Sequence, residues 1–178
     1  VFSWRSITSR FGFPHLGVDN FRYNPDLGGG ALLDAGCYPI AATHDILGSE
    51  PKEVFARIES EGPFQIDTSG HAIFRYEEGP LAFLQWGFGF SYRNEIEIWG
   101  SEGLLKAQRI FSKPSSLETE ITILYQSRSN EILKIAPSNH FSEMFSVLAD
   151  KEENKWNTRQ SRLIEQVRES SISSSSSH

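Results

Sequence analysis

Two side chains with the chemistry of proton transfer stand four residues apart in the run Ala31-Leu32-Leu33-Asp34-Ala35-Gly36-Cys37-Tyr38. On a helix, that spacing brings Asp34 and Tyr38 out on one face. A tyrosine hydroxyl normally titrates near pH ~10. A neighbouring cation makes it easier to deprotonate, so it can serve as acid or base, and a carboxylate one turn away can orient the partners. The same spacing also serves a cap-like aspartate beside a packed tyrosine. That plainer arrangement is common, and the pair by itself carries little specificity.

Other chemistries find less support. The five histidines (His15, His44, His71, His140 and His178) lie far apart, and Cys37 is the single cysteine, so no set matches a zinc site. Gly28-Gly29-Gly30 has the composition of a phosphate cradle, but Leu33 stands where a dinucleotide fingerprint needs its third glycine. There is no P-loop lysine pattern and no Gly-x-Ser-x-Gly elbow. The glycines read as a tight loop feeding a helix, whose N-terminus would still favour an anion.

The elements that must position these residues follow from pattern. Residues 1–13 read as a strand rich in aromatics, stopped by Pro14 and Gly17, and residues 19–27 as a polar turn region. Leu32, Leu33, Ile40, Ile46 and Leu47 recur at helical spacing up to Gly48, with a kink or restart expected at Pro39, which cannot donate to the carbonyl of Ala35. Seven strands are expected over 53–59, 70–76, 81–90, 94–99, 104–108, 119–125 and 131–135, joined by tight turns as an antiparallel meander. Helices follow over 139–150, with Phe141, Phe145 and Leu148 on one face, and over 158–169, with Leu163, Ile164 and Val167 inside. The sum is an α+β fold: an open, mostly antiparallel sheet with helices packed on one face. Its other face, expected to carry Phe83, Phe88, Phe90 and Trp99, should be apolar enough to meet a partner.

Composition narrows the classes. The 178 residues amount to one domain with an appendage, residues 170–178 being a Ser-rich tail expected to be disordered. Net charge is −6, with 17 Lys and Arg against 23 Asp and Glu, which argues against nucleic acid or an anionic membrane as partner. A lone cysteine fits a reducing, cytoplasmic compartment. The chain opens on Val1, so a longer protein is expected around it.

The segment Asn20-Phe21-Arg22-Tyr23-Asn24-Pro25-Asp26-Leu27-Gly28-Gly29-Gly30-Ala31-Leu32-Leu33-Asp34-Ala35-Gly36-Cys37-Tyr38-Pro39-Ile40 closely resembles the opening of the C-terminal domain in the glucose–fructose oxidoreductase / inositol dehydrogenase / MocA-like family. The run 94–103 and the helix 139–148 resemble later parts of the same domain. With Tyr rather than His at position 38, the chain looks most like the nucleotide-sugar 3-ketoreductases and dimeric dihydrodiol dehydrogenase. The resemblance implies the glyceraldehyde-3-phosphate-dehydrogenase-like C-terminal fold, with residues 1–169 as a substrate-binding and oligomerisation domain that forms homo-oligomers through its sheet. It implies NAD or NADP, bound mainly by an N-terminal Rossmann domain that also brings a lysine in a Glu-Lys-Pro motif. It makes Tyr38 the catalytic acid/base with Asp34 beside it. Arg22 becomes a cofactor contact, and Asn139 and His140 contacts to a sugar-like substrate, although capping of the helix by Ser138 or Asn139 explains that pair equally well. The isolated domain should be inactive. A non-catalytic sugar-binding or NAD(P)-sensing module on the same scaffold remains the alternative.

Overall fold

A computed structural model describes residues 3–147 and 153–175. Eight strands form one sheet: β1 (Trp4–Phe13), β2 (Glu53–Glu59), β3 (Ser69–Arg75), β4 (Leu81–Phe88), β5 (Arg93–Gly100), β6 (Gly103–Gln108), β7 (Thr119–Tyr125) and β8 (Glu131–Ile135). Their spatial order is β2-β3-β4-β1-β5-β6-β7-β8. The expected α+β architecture therefore holds, with one difference from a simple meander. β1 lies in the middle, parallel to β4 and antiparallel to β5. Residues 89–92 step across the end of β1, where the Phe90 amide donates to the Phe13 carbonyl at 3.1 Å. Pattern along one strand specifies its faces but not its neighbours, which is why this insertion was not foreseen.

The alternation inside β1 and β4 explains the layering. Ile7, Ser9 and Phe11 of β1, with Ala82, Leu84, Trp86 and Phe88 of β4, all point to the helical side and are buried. Trp86 is the largest of these, and it fits because its cross-strand neighbour is Gly70: a Cβ there would run into the indole ring. Phe88 thus belongs to the helical side, packed against Phe13 and Tyr23 with ring centroids 5.1 and 5.6 Å apart, and not to the outer face assigned from sequence.

The helix after the glycine run begins as a π turn, Leu32–Gly36, in which the Cys37 amide donates to the Leu32 carbonyl. It continues as α1 (Cys37–Leu47) and stops at Gly48, whose φ of 64° and amide bond to the His44 carbonyl close it. The restart expected at Pro39 lies just before it. Pro39 falls in the first turn of α1, where a missing N–H does no harm. α2 (His140–Val147) follows the sheet, but Phe141 is exposed rather than packed inward; the Phe145 side chain and Leu148 lie outside the described residues. α3 runs Glu153–Ser175 and buries Leu163, Ile164 and Val167. It is longer than expected, and the expected disordered tail is helical as far as Ser175. Two of its serines explain why. Ser170 Oγ accepts from the Ala56 amide and donates to the Val54 carbonyl, and Ser171 Oγ accepts from the Ile58 amide, so the tail covers the unpaired edge of β2.

The face away from the helices carries a cross-strand row Phe55, Ile73, Phe83, Thr8, Glu97, Lys106, Thr122 and Ile132. Phe55, Ile73 and Phe83 form an exposed apolar patch at one end of this row, with Trp99 and Ile132 exposed further along. Thr8, Glu97, Lys106 and Thr122 between them make the centre of the face polar, so it is less apolar than expected.

Candidate active site

The site gathers where the π turn, α1, β1 and the loop after β6 meet. Burial of Leu32, Ala35 and Ile40 against the sheet fixes the helix rotation and leaves Asp34 and Tyr38 part-exposed on one side. The Tyr38 ring stands edge-on to Phe11 at 5.2 Å and tilts against Phe111 at 5.9 Å, so two apolar walls set its direction. Phe111 is itself pinned by buried Asn94. The Asn94 Oδ1 accepts from the Phe111 amide at 2.9 Å, while its Nδ2 donates to the Ser112 carbonyl and the Tyr92 hydroxyl. Next to that clamp, Arg109 holds a left-handed φ of 54°, which lets its amide reach the Asn94 carbonyl at 2.6 Å.

Asp34 is not a bystander. Its Oδ2 accepts from Arg22 Nε at 2.7 Å, and both side chains are about three-quarters buried. The structure thus brings together three residues singled out from sequence: Arg22, Asp34 and Tyr38. Burial raises the pKa of Tyr38 above its ordinary value; Cys37 and Asp34 push it further up, and Arg22 opposes them. Cys37, one position away, is pushed up to about 11, by burial first and by Asp34 second. At neutral pH the Tyr38 hydroxyl therefore keeps its proton, as a donor must.

Asn139 and His140 are elsewhere in the arrangement. Asn139 Oδ1 accepts from the amides of Phe141 at 3.1 Å and Ser142 at 3.2 Å, which is an N-cap, and the His140 ring lies on Phe141. Among the described residues, no hydrogen bond, ion pair or ring contact joins either to Arg22, Asp34 or Tyr38.

Nor is the helix N-terminus behind the glycines open to an anion. Asp67 occupies it: its Oδ2 accepts from the Leu32 amide at 2.5 Å and its backbone carbonyl from the Ala31 amide at 2.8 Å. Burial raises the pKa of this carboxyl, and the bonds from the helix partly offset the rise. Asp67, Asn94 and Phe111 were not foreseen from sequence as parts of the site. An aspartate ahead of a strand and a phenylalanine in a loop give no spacing signal; their roles exist only after the sheet has closed. Among the described residues no group of His, Cys, Asp and Glu is arranged to hold a metal ion, and no helix is long and apolar enough to cross a membrane.

Comparison with known proteins places the fold in a family. Residues 3–106 match the family model described as the GFO/IDH/MocA C-terminal domain. The chain is 40% identical over 121 residues to a dTDP-3,4-didehydro-2,6-dideoxy-alpha-D-glucose 3-reductase of Saccharopolyspora spinosa, covering 67% of this chain and 36% of that protein. It is 30% identical over 172 residues to the reductase of the same name from Actinomadura kijaniata, covering 92% and 52%. The crystal structure of KijD10, a 3-ketoreductase from Actinomadura kijaniata in complex with NADP and TDP-benzene, superimposes with a TM-score of 0.87 at 29% identity, over 94% of this chain and 54% of that one. The chain thus spans about half the length of these relatives, or less. A buried-edge tyrosine and an aspartate on the helix after a glycine run, an eight-stranded sheet bare on one side and these matches lead to one conclusion: the chain belongs to the GFO/IDH/MocA family and corresponds to its C-terminal domain.

Proposed function

We propose that this chain is the substrate-side domain of an NAD(P)-dependent oxidoreductase that reduces the keto group of a nucleotide-linked sugar, with Tyr38 as the proton donor. The observation that carries the reading is the half-buried Tyr38 ring held between Phe11 and Phe111 beside the Arg22–Asp34 pair. The names of the relatives support the substrate class.

The residues present fit the reacting end of a nicotinamide cofactor and not its phosphates, since Asp67 fills the helix N-terminus and Arg22 is engaged by Asp34. When bound, the reduced cofactor supplies a hydride to the carbonyl carbon. Tyr38 gives its hydroxyl proton to the carbonyl oxygen, which becomes the alcohol, and the tyrosinate regains a proton from solvent. The apolar walls exclude water from one side of that transfer. The phosphates and the cation that eases the loss of the Tyr38 proton belong to a dinucleotide-binding domain carrying a Glu-Lys-Pro lysine, so this domain alone should be inactive. The exposed apolar side chains of the outer face, Phe55, Ile73, Phe83 and Trp99, pair with a second copy, and the protein works in the cytoplasm.

The test is Tyr38→Phe in the full-length protein, assayed with NADPH and dTDP-3,4-didehydro-2,6-dideoxy-alpha-D-glucose. We expect kcat to fall by about 100-fold or more with little change in KM, as for loss of a general acid. Turnover near wild type would remove Tyr38 from the chemistry and favour a binding module.

A further inference from the structure

We infer that Arg22 is a positioning residue that aims the Asp34 carboxylate, and that the glycine run 28–30 is the seat that delivers it. This rests on the oxidoreductase reading above. The ion pair at 2.7 Å joins residues twelve apart in sequence, so it depends on how the intervening chain is folded. That chain is fixed from several sides. Asn20 Oδ1 accepts from the Arg22 amide at 3.1 Å and lies 3.5 Å from its Nη1, and the guanidinium lies over the Phe21 ring at 4.6 Å. The Arg22 carbonyl accepts from the Gly30 amide at 3.0 Å, and the Asn24 carbonyl accepts from the Gly29 amide at 3.0 Å.

The close approach explains the glycine. A Cβ on Gly29 would stand 2.5 Å from the Arg22 carbonyl oxygen and 2.7 Å from that of Asn24. No side chain fits there, and the turn bearing Arg22 could not close with one present. The run that resembles a phosphate cradle by composition is filled by the chain's own carbonyls. The guanidinium, bonded to a carboxylate and part-buried with it, has its charge matched within the domain. What the pair accomplishes is directional. Oδ2 of the carboxylate is held by Arg22 Nε, which restricts rotation of the group while it stays close enough to act electrostatically on Tyr38. A planar donor does this better than an ammonium.

The test uses the full-length protein with Arg22→Gln, Arg22→Lys, Gly29→Ala, Asp34→Asn and the Arg22→Gln/Asp34→Asn double variant. NADPH affinity is read by fluorescence titration, and kcat and KM with the same dTDP-keto-sugar. Positioning predicts that Arg22→Gln lowers kcat about 10- to 100-fold, with the NADPH Kd and both KM values within about twofold of wild type. Arg22→Lys should recover part of the loss. Gly29→Ala, which changes no charge, should reproduce Arg22→Gln. On the Asp34→Asn background the Arg22 substitution should cost little more, because the two act as a unit. A raised NADPH Kd with intact kcat would overturn the inference and make Arg22 a phosphate anchor. Additive losses, or a wild-type Gly29→Ala, would overturn it as well; if Gly29→Ala does not fold, the Arg22–Asp34 cycle decides. An impaired Tyr38→Phe beside an unimpaired Arg22→Gln removes this inference alone, whereas a fully active Tyr38→Phe removes the catalytic reading beneath it.

Discussion

Cys37 and Tyr38 are neighbours in sequence and face the same electrostatic problem. Both are acids partly withdrawn from water beside the Asp34 carboxylate, and both hold their protons more tightly than in a free peptide. For the thiol, the rise is from 9.0 to about 11. An acid whose pKa rises on folding contributes its full share of stability below its unfolded pKa. Above that value the unfolded chain ionises and the folded one does not, so stability drains away until the folded pKa is reached. We therefore expect the thermal midpoint to decline as pH climbs through about 9 to 11, and Cys37→Ala to flatten part of that decline in a melting series across pH. The buried Tyr76 hydroxyl shifts in the same direction and would leave a residual slope. At this scale the sequence was informative about identity and silent about partnership. Asp34 and Tyr38 could be selected by spacing and resemblance, and the Asn139 cap was one of the two readings its position allowed, but that Arg22 turns to Asp34 depends on backbone positions no local pattern encodes.

Among the elements, β3 and β4 bear a tight packing constraint. Gly70 faces Trp86 across the strand pair, and the indole fills the space a side chain would take. We expect Gly70→Ala to destabilise the domain by about 1–3 kcal/mol through overpacking, measured by urea denaturation. Strand positions were legible because alternation and turn residues mark them: the ranges 53–59, 119–125 and 131–135 match the observed strands end to end. The length of α3 was less so. A serine-rich segment has weak intrinsic helix preference, yet Ser170 and Ser171 are held in the helix by amides and a carbonyl of β2. Composition alone suggests disorder there; the bare strand edge reverses it.

The whole domain has two unlike sides. Helices and the Arg22–Asp34–Tyr38 group share one, and Phe55, Ile73, Phe83 and Trp99 lie open on the other. A single chain would leave this apolar surface in water, which soluble domains of this size seldom do. We expect the full-length protein to sediment as a dimer or larger, and Phe83→Glu with Ile73→Glu to shift it toward monomer. A wild-type protein that stays monomeric at high concentration would discard that role for the outer face. Fold class and bare face could be read ahead because both follow from strand count and alternation. The neighbour order could not, since it is decided by which strands find each other after collapse.

That order has a consequence in time. β1 is made first among the strands, yet its two neighbours are β4 and β5, with Ser6 aligned to Leu81 on one side and to Trp99 on the other. Its hydrogen-bonding edges therefore stay unsatisfied until some seventy to ninety further residues have been synthesised. Contacts of such separation form slowly, because the intervening loop must close before they yield anything. The earliest strand must wait for partners made much later, and a nascent chain halted before residue 81 would carry an unpaired, aromatic-rich strand of the kind chaperones hold.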